Sequence, residues 1–231
     1  MKIPSILKQL WREWLRLLAV AAAIICPIKS SLADYNFVPT GSMKPTILEG
    51  DLVFVNKLAY DLKIPFTTAH LAEWGEPSRG DIVVLFSPED GLRLVKRIVA
   101  MPGDTVELRS NALWINGQPA RYSPLPAVAT AGVPAAERAV VEFATETVEN
   151  RSHAVMAHPL QPSPRCSFPP LTLRAGEYFV MGDNRDNSKD SRYFGVVERR
   201  LIVGKANAVI ASVDTNGFRL PRFGRFFSVL Q

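Results

Sequence analysis

Little in these 231 residues suits a disulfide or a metal. There are two cysteines, Cys26 in an apolar N-terminal run and Cys166 in a proline-rich stretch. Such different surroundings give no reason to expect a bridge between them. His70, His153 and His158 are isolated and read as surface or packing residues, and no Cys or His spacing matches a ligand set. A broad basic surface is missing too. The net charge is +5, but residues 1–33 set Lys2, Lys8, Arg12, Arg16 and Lys29 against Glu13 alone. From Asn216 on, Arg219, Arg222 and Arg225 meet no acid, so the body between the two ends is slightly acidic. That distribution weakens a nucleic-acid reading. Beyond the N-terminal run no long amphipathic helical pattern stands out, which points away from a helical body.

The N-terminal run is the first thing present. Leu17–Ile28 is apolar, and extending it from Trp14 to Ala33 reaches the ~20 residues that cross a bilayer core. Arg16 and Lys29 can extend their charges to opposite headgroup layers, and Trp11 and Trp14 suit the interface. The early basic residues place the N-terminus in the cytoplasm and everything after Ala33 on the outer side. The rival readings are a signal peptide cut after Ser31-Leu32-Ala33, whose charged section is unusually long, and a buried helix, which the one-sided basic flank disfavours.

The rest reads as strands and turns. Residues 51–57, 81–86, 92–100, 177–181 and 201–211 are short and rich in β-branched and aromatic residues, with Gly, Pro and Asp between them. Asn116-Gly117 is a two-residue hairpin signal. Residues 119–176 hold nine of the 18 prolines and few clear strand patterns. The expected fold is therefore mainly β: an N-terminal transmembrane helix, an antiparallel β-sheet core, and an inserted, irregular, Pro-rich β subdomain. The expected divisions are 1–33 (cytoplasmic N-terminus and anchor), 34–103 and 177–215 (core), 104–176 (insertion) and 216–231 (a basic, aromatic tail). That tail, from Phe218 to Phe227, interleaves arginine with phenylalanine and suits either anionic lipid or simple packing.

Three segments carry chemistry. In Pro39-Thr40-Gly41-Ser42-Met43-Lys44-Pro45-Thr46, a Ser beside Gly and between prolines sits on a constrained turn. There its N–H and hydroxyl can face the same space, as an acyl-transfer nucleophile needs, and Thr40 offers a second hydroxyl. A plain turn is the bland alternative. In Leu94-Val95-Lys96-Arg97-Ile98, alternation puts Lys96 on a face with Leu94 and Ile98. Keeping half of such an amine neutral at pH 7 takes about 4 kcal/mol, which burial can supply. A strand-end lysine reaching water is the alternative. The third segment, 182–192, follows an apolar strand and mixes acids, amides and arginines. It lacks the glycine and glutamate of a calcium loop and fits a dense hydrogen-bonded loop, in which Ser188 can orient Lys96 and Asp190 can pair with Arg192 or Arg185.

Residues 39–46, Val95–Asp104 (VKRIVAMPGD) and Gly182–Gly195 (GDNRDNSKDSRYFG) together resemble, in order, the three signature boxes of bacterial type I signal peptidase, a Ser–Lys serine protease family. The resemblance implies Ser42 as nucleophile, Lys96 as general base, Ser188 as the residue bonded to that lysine and Thr40 as oxyanion donor, where serine is commoner. It further implies Asp190 with Arg192 as a structural ion pair, Arg97, Gly182 and Asp183 as structural residues near the site, and Met43 beside the substrate pocket. The implied substrates are exported preproteins cut after small residues at the inner membrane. The implied protein is single-pass, with its catalytic domain on the periplasmic side, its partners preproteins and lipid, and no metal, cofactor or nucleic acid. Rival functions are a specialised maturation peptidase of the same group, as for a conjugative pilin, a self-cleaving repressor, which lacks its DNA-binding domain here, and an idle, membrane-tethered binding protein.

Overall fold

Runs of β-branched and aromatic residues form the framework of the computed structural model, which describes residues 13–21, 31–64, 67, 70–215 and 220–230. In its first half the strands are β1 (Ala33–Phe37), β2 (Asp51–Asn56), β3 (Asp61–Lys63), β4 (His70–Glu73), β5 (Ile82–Phe86), β6 (Arg93–Ala100), β7 (Thr105–Arg109), β8 (Ala112–Ile115) and β9 (Gln118–Pro119). After them come β10 (Arg121–Pro124), β11 (Glu142–Val148), β12 (Arg151–Ala157), β13 (Phe168–Thr172), β14 (Glu177–Met181), β15 (Val197–Glu198), β16 (Ile202–Ser212) and β17 (Ser228–Val229).

An antiparallel sheet in the order β1-β2-β16-β5-β6-β14-β15, with β17 against β16, carries the core. β5 and β6 are buried along almost their whole length: β5 is a continuous apolar run, whereas β6 buries Lys96 and Arg97 among its apolar residues. Met43, Val84 and Val95 belong to one apolar cluster, and Val83, Ile98 and Tyr178 to another. Each such side chain contributes about 1.5–3 kcal/mol on full burial. A third cluster joins Val99 and Phe179 to Leu113 of the smaller β13-β7-β8-β9 sheet. The Asn116-Gly117 hairpin forms as expected, with both residues at positive φ (52° and 76°) and Ile115 paired with Gln118.

Two expectations need correction. The N-terminal span was drawn to Ala33, but Ala33 opens β1 and pairs with Asn56, so the helix ends before it. Residues 13–21 are helical, whereas 1–12 and 22–30, which include Cys26 and Lys29, lie outside the described residues. Among the described residues no helix is long and apolar enough to cross a membrane. The stretch 119–176 is also more regular than expected: β11 and β12 pair over seven residues each, β10 joins β11 in the same three-stranded sheet, and β13 pairs with β7 in the four-stranded one. Its pattern is hidden because Glu146, a charge, occupies a fully buried position on β11.

Candidate active site

Ser42 lies on a turn between β1 and β2, and Lys96 lies mid-way along β6, opposite Val83 of β5. The sheet brings them together: the Lys96 amine donates to Ser42 Oγ at 2.7 Å and to the Val95 carbonyl at 3.0 Å. Lys96 is only 3% exposed, and no carboxylate lies among its hydrogen-bond partners. Burial therefore pushes its pKa down to about 8, a fall that Asp190 and Asp183 oppose and Arg192 assists. The two acids oppose it weakly because each is engaged elsewhere. Arg97 holds Asp183 through two 2.8 Å bonds, and Arg192 holds Asp190 at 2.8 and 2.9 Å. Burial presses both carboxyls upward, but the paired arginines outweigh it and keep them below the usual carboxylate range.

The third segment packs directly on the serine turn. Asn184 donates from its backbone to the Ser42 carbonyl (3.1 Å) and from its side chain to the Gly41 carbonyl (3.2 Å). Thr46 donates to Asp183 Oδ2 at 2.6 Å, so Asp183 ties the serine turn to β6 through Arg97. Gly182 permits the approach, because a Cβ there would overlap the Ser42 carbonyl oxygen and Ser188 Oγ. Met43 is buried in the cluster below. The Ser42 N–H and the exposed Thr40 hydroxyl have no hydrogen-bond partner among the described residues.

One expected contact is absent. Ser188 is not a partner of the Lys96 amine; its hydroxyl is buried against Gly182, and the Val95 carbonyl takes the second position on the amine. Of the two options for Asp190, Arg192 is the partner. Arg185 instead pairs with Glu146 through 2.6 and 2.7 Å bonds, with His153 Nε2 3.3 Å from Glu146. No composition or spacing signal linked Glu146 to residue 185. Thr46 and Asn184 fell inside the singled-out segments without a role, because nothing in those polar stretches sets them apart from their neighbours. Lys44 is a further buried amine, 2.8 Å from Glu137 and 3.2 Å from Glu49. Among the described residues no group of His, Cys, Asp and Glu is placed to hold a metal. A strand-borne amine, dry and bonded to a hydroxyl, can take that hydroxyl's proton once it is neutral.

Comparison with known proteins points to one family. The model of the family described as signal peptidase, peptidase S26, matches residues 11–211. Signal peptidase I of Pseudomonas aeruginosa is 35% identical over 219 residues, covering 87% of this chain and 73% of that protein. Signal peptidase I P of Bacillus subtilis subsp. natto is 30% identical over 203 residues, covering 87% and 90% respectively. A crystal structure of a signal peptidase I from Enterococcus faecalis V583 shares 33% identity over 56% of this chain and 96% of its own, with a TM-score of 0.35.

Proposed function

The chain belongs to the signal peptidase family, peptidase S26, and is a serine protease; from that premise we propose that it removes N-terminal signal peptides from exported preproteins with a Ser42–Lys96 pair. The observation that carries the reading is the buried Lys96 amine, 2.7 Å from Ser42 Oγ with no carboxylate bonded to it. Neutral Lys96 takes the Ser42 proton as Oγ attacks the scissile carbonyl carbon. The Ser42 N–H and Thr40 hydroxyl, both without partners among the described residues, receive the oxyanion. Lys96 then protonates the leaving amine, and in the second half it takes a proton from the water that releases the acyl group. Arg97, Asp183, Asp190, Arg192 and Gly182 keep the turn and the strand in register. Met43 borders the pocket for the small side chains that precede the cut.

The reading includes an anchor at the inner membrane, with the N-terminus cytoplasmic and the catalytic body outside. Helical residues Trp14, Leu15, Leu17 and Leu18 support it, because all are at least half exposed, as lipid-facing side chains would be. Processing of a purified preprotein by wild type, Ser42→Ala and Lys96→Ala, at equal folded concentration, tests the pair. Each variant is expected to lose at least a factor of about a thousand in rate. Substantial cleavage by Lys96→Ala would remove the mechanism.

A further inference from the structure

Segment 126–139, within the proline-rich insertion, is remote in sequence from the serine turn yet docks on it at two points. Glu137, on the short helix Ala135–Arg138, binds the Lys44 amine at 2.8 Å. Val133 is buried, and neighbouring Gly132 lies so close to Leu48 that a Cβ there would strike the leucine's Cδ1. Lys44 is 6% exposed and two residues from Ser42. Its stem crosses Gly41: a Cβ on Gly41 would lie 2.9 Å from Lys44 Cε and 2.8 Å from Glu49 Oε1. The Lys44 N–H donates to the Gly41 carbonyl at 3.1 Å, closing the turn that presents Ser42. The stem of a salt-bridged lysine thus lies beside Gly41, whose carbonyl shares a peptide unit with the Ser42 N–H. That peptide carries the proposed oxyanion donor.

We propose that Glu137 is a positioning residue for the reaction: acting through Lys44, it lets the inserted segment set the orientation of the Gly41–Ser42 peptide. The inference rests on reading Ser42 as the nucleophile. A buried lysine stem has several rotamers. With Glu49 alone as partner, at 3.2 Å, the amine keeps an attraction but loses its shorter bond, so the stem no longer has one place across Gly41. An oxyanion donor is sensitive to small displacements, whereas the binding of side chains that precede the cut is not. The effect therefore belongs in kcat rather than KM.

The test uses the full chain and a purified preprotein, with kcat and KM measured for wild type, Glu137→Gln, Glu137→Asp, Lys44→Met, the Lys44→Met/Glu137→Gln double variant and Ser42→Ala. Glu137→Gln is expected to lower kcat about tenfold with KM changed less than about twofold. Glu137→Asp should recover part of the loss. In the Lys44→Met background, Glu137→Gln should cost nothing further, because its route to the turn is already gone. Wild-type kcat in Glu137→Gln, a loss confined to KM, or an equal loss in both backgrounds would each overturn the proposal. Gln is isosteric with Glu at this partly exposed position, and Glu137→Asp provides a second readout should Glu137→Gln fold poorly. An active Ser42→Ala would instead unseat the nucleophile reading. A dead Ser42→Ala beside an unaffected Glu137→Gln leaves that reading intact and removes this one.

Discussion

Lys96 and Lys44 are both buried beside the same serine turn, yet their surroundings drive them in opposite directions. Burial pushes each amine toward neutrality. At Lys44 the carboxylates of Glu137 and Glu49 outweigh it and hold the pKa above its ordinary value. At Lys96 the nearest acids are committed to arginines, burial wins, and the pKa falls to about 8. Function follows from this difference, since only a lysine that can be neutral accepts a proton. If Lys96 is the base, kcat/KM rises with pH through about 8 and levels off above it, a profile that a peptide substrate without titrating groups would report. The same shift has a stability consequence. The folded state releases this proton at about 8 while the unfolded chain holds it to its ordinary value of 10.5, so the unfolded state binds more protons within that window. Stability therefore rises with pH there. Relative to Lys96→Met, wild type should gain up to roughly 3 kcal/mol between pH 8 and 10.5, read from chemical denaturation at each pH.

Elements meet at this site through buried charge pairs rather than through apolar contact alone. Arg97 on β6 reaches Asp183 after β14, and Glu146 on β11 reaches Arg185 two residues further on. Glu146 is fully buried, and although burial alone would raise its pKa, Arg185 and His153 hold it well below the carboxylate range. Its stabilising charge is thus complete above the ordinary carboxylate value and is lost only as pH falls through the lowered one. Removing it leaves Arg185 buried without its partner, so Glu146→Ala should cost about 3–5 kcal/mol in denaturant unfolding at neutral pH. This pair also marks where the sequence stops being readable. β5 and β14 were legible because their runs are apolar, β-branched or aromatic, and β6 because Leu94, Val95, Ile98 and Val99 bracket its charges. The Asn116-Gly117 turn was legible because few other dipeptides adopt its backbone. Residues Glu142–Val148 were not, since Glu146 stands where an apolar residue would signal the inward face. The serine, the lysine and the Asp190–Arg192 pair could be named from their segments. Their meeting depends on β5–β6 register and on the packing of Gly182, which no local pattern encodes. Ser188 was assigned to Lys96 for the same reason: the segment supplied a hydroxyl, but only the packing shows that it faces Gly182.

At the scale of the whole molecule, the described N-terminal helix and the β body share none of the apolar clusters found among the described residues. Trp14, Leu15, Leu17, Leu18 and Val20 are each at least half exposed, and none of them belongs to the three apolar clusters. Among the described residues, removing the helix therefore takes no side chain from those clusters, provided β1, which begins at Ala33 and pairs with β2, is kept. Nine residues link Ala33 to Ser42, at most about 30 Å of extended chain, and β1 uses five of them in the sheet. A membrane anchor just before β1 would hold the serine within that distance of the lipid surface, where a signal peptide still embedded in the bilayer emerges. Tethering of this kind raises effective concentration without altering the chemistry. A chain beginning at Ser31 should accordingly cleave a short soluble peptide with unchanged kcat/KM. On preprotein in liposomes it should fall behind the full chain, by a factor on the order of a hundred. Equal rates on both substrates would show that the N-terminal segment does not place the enzyme, and a loss on both would show that it contributes to the fold of the body.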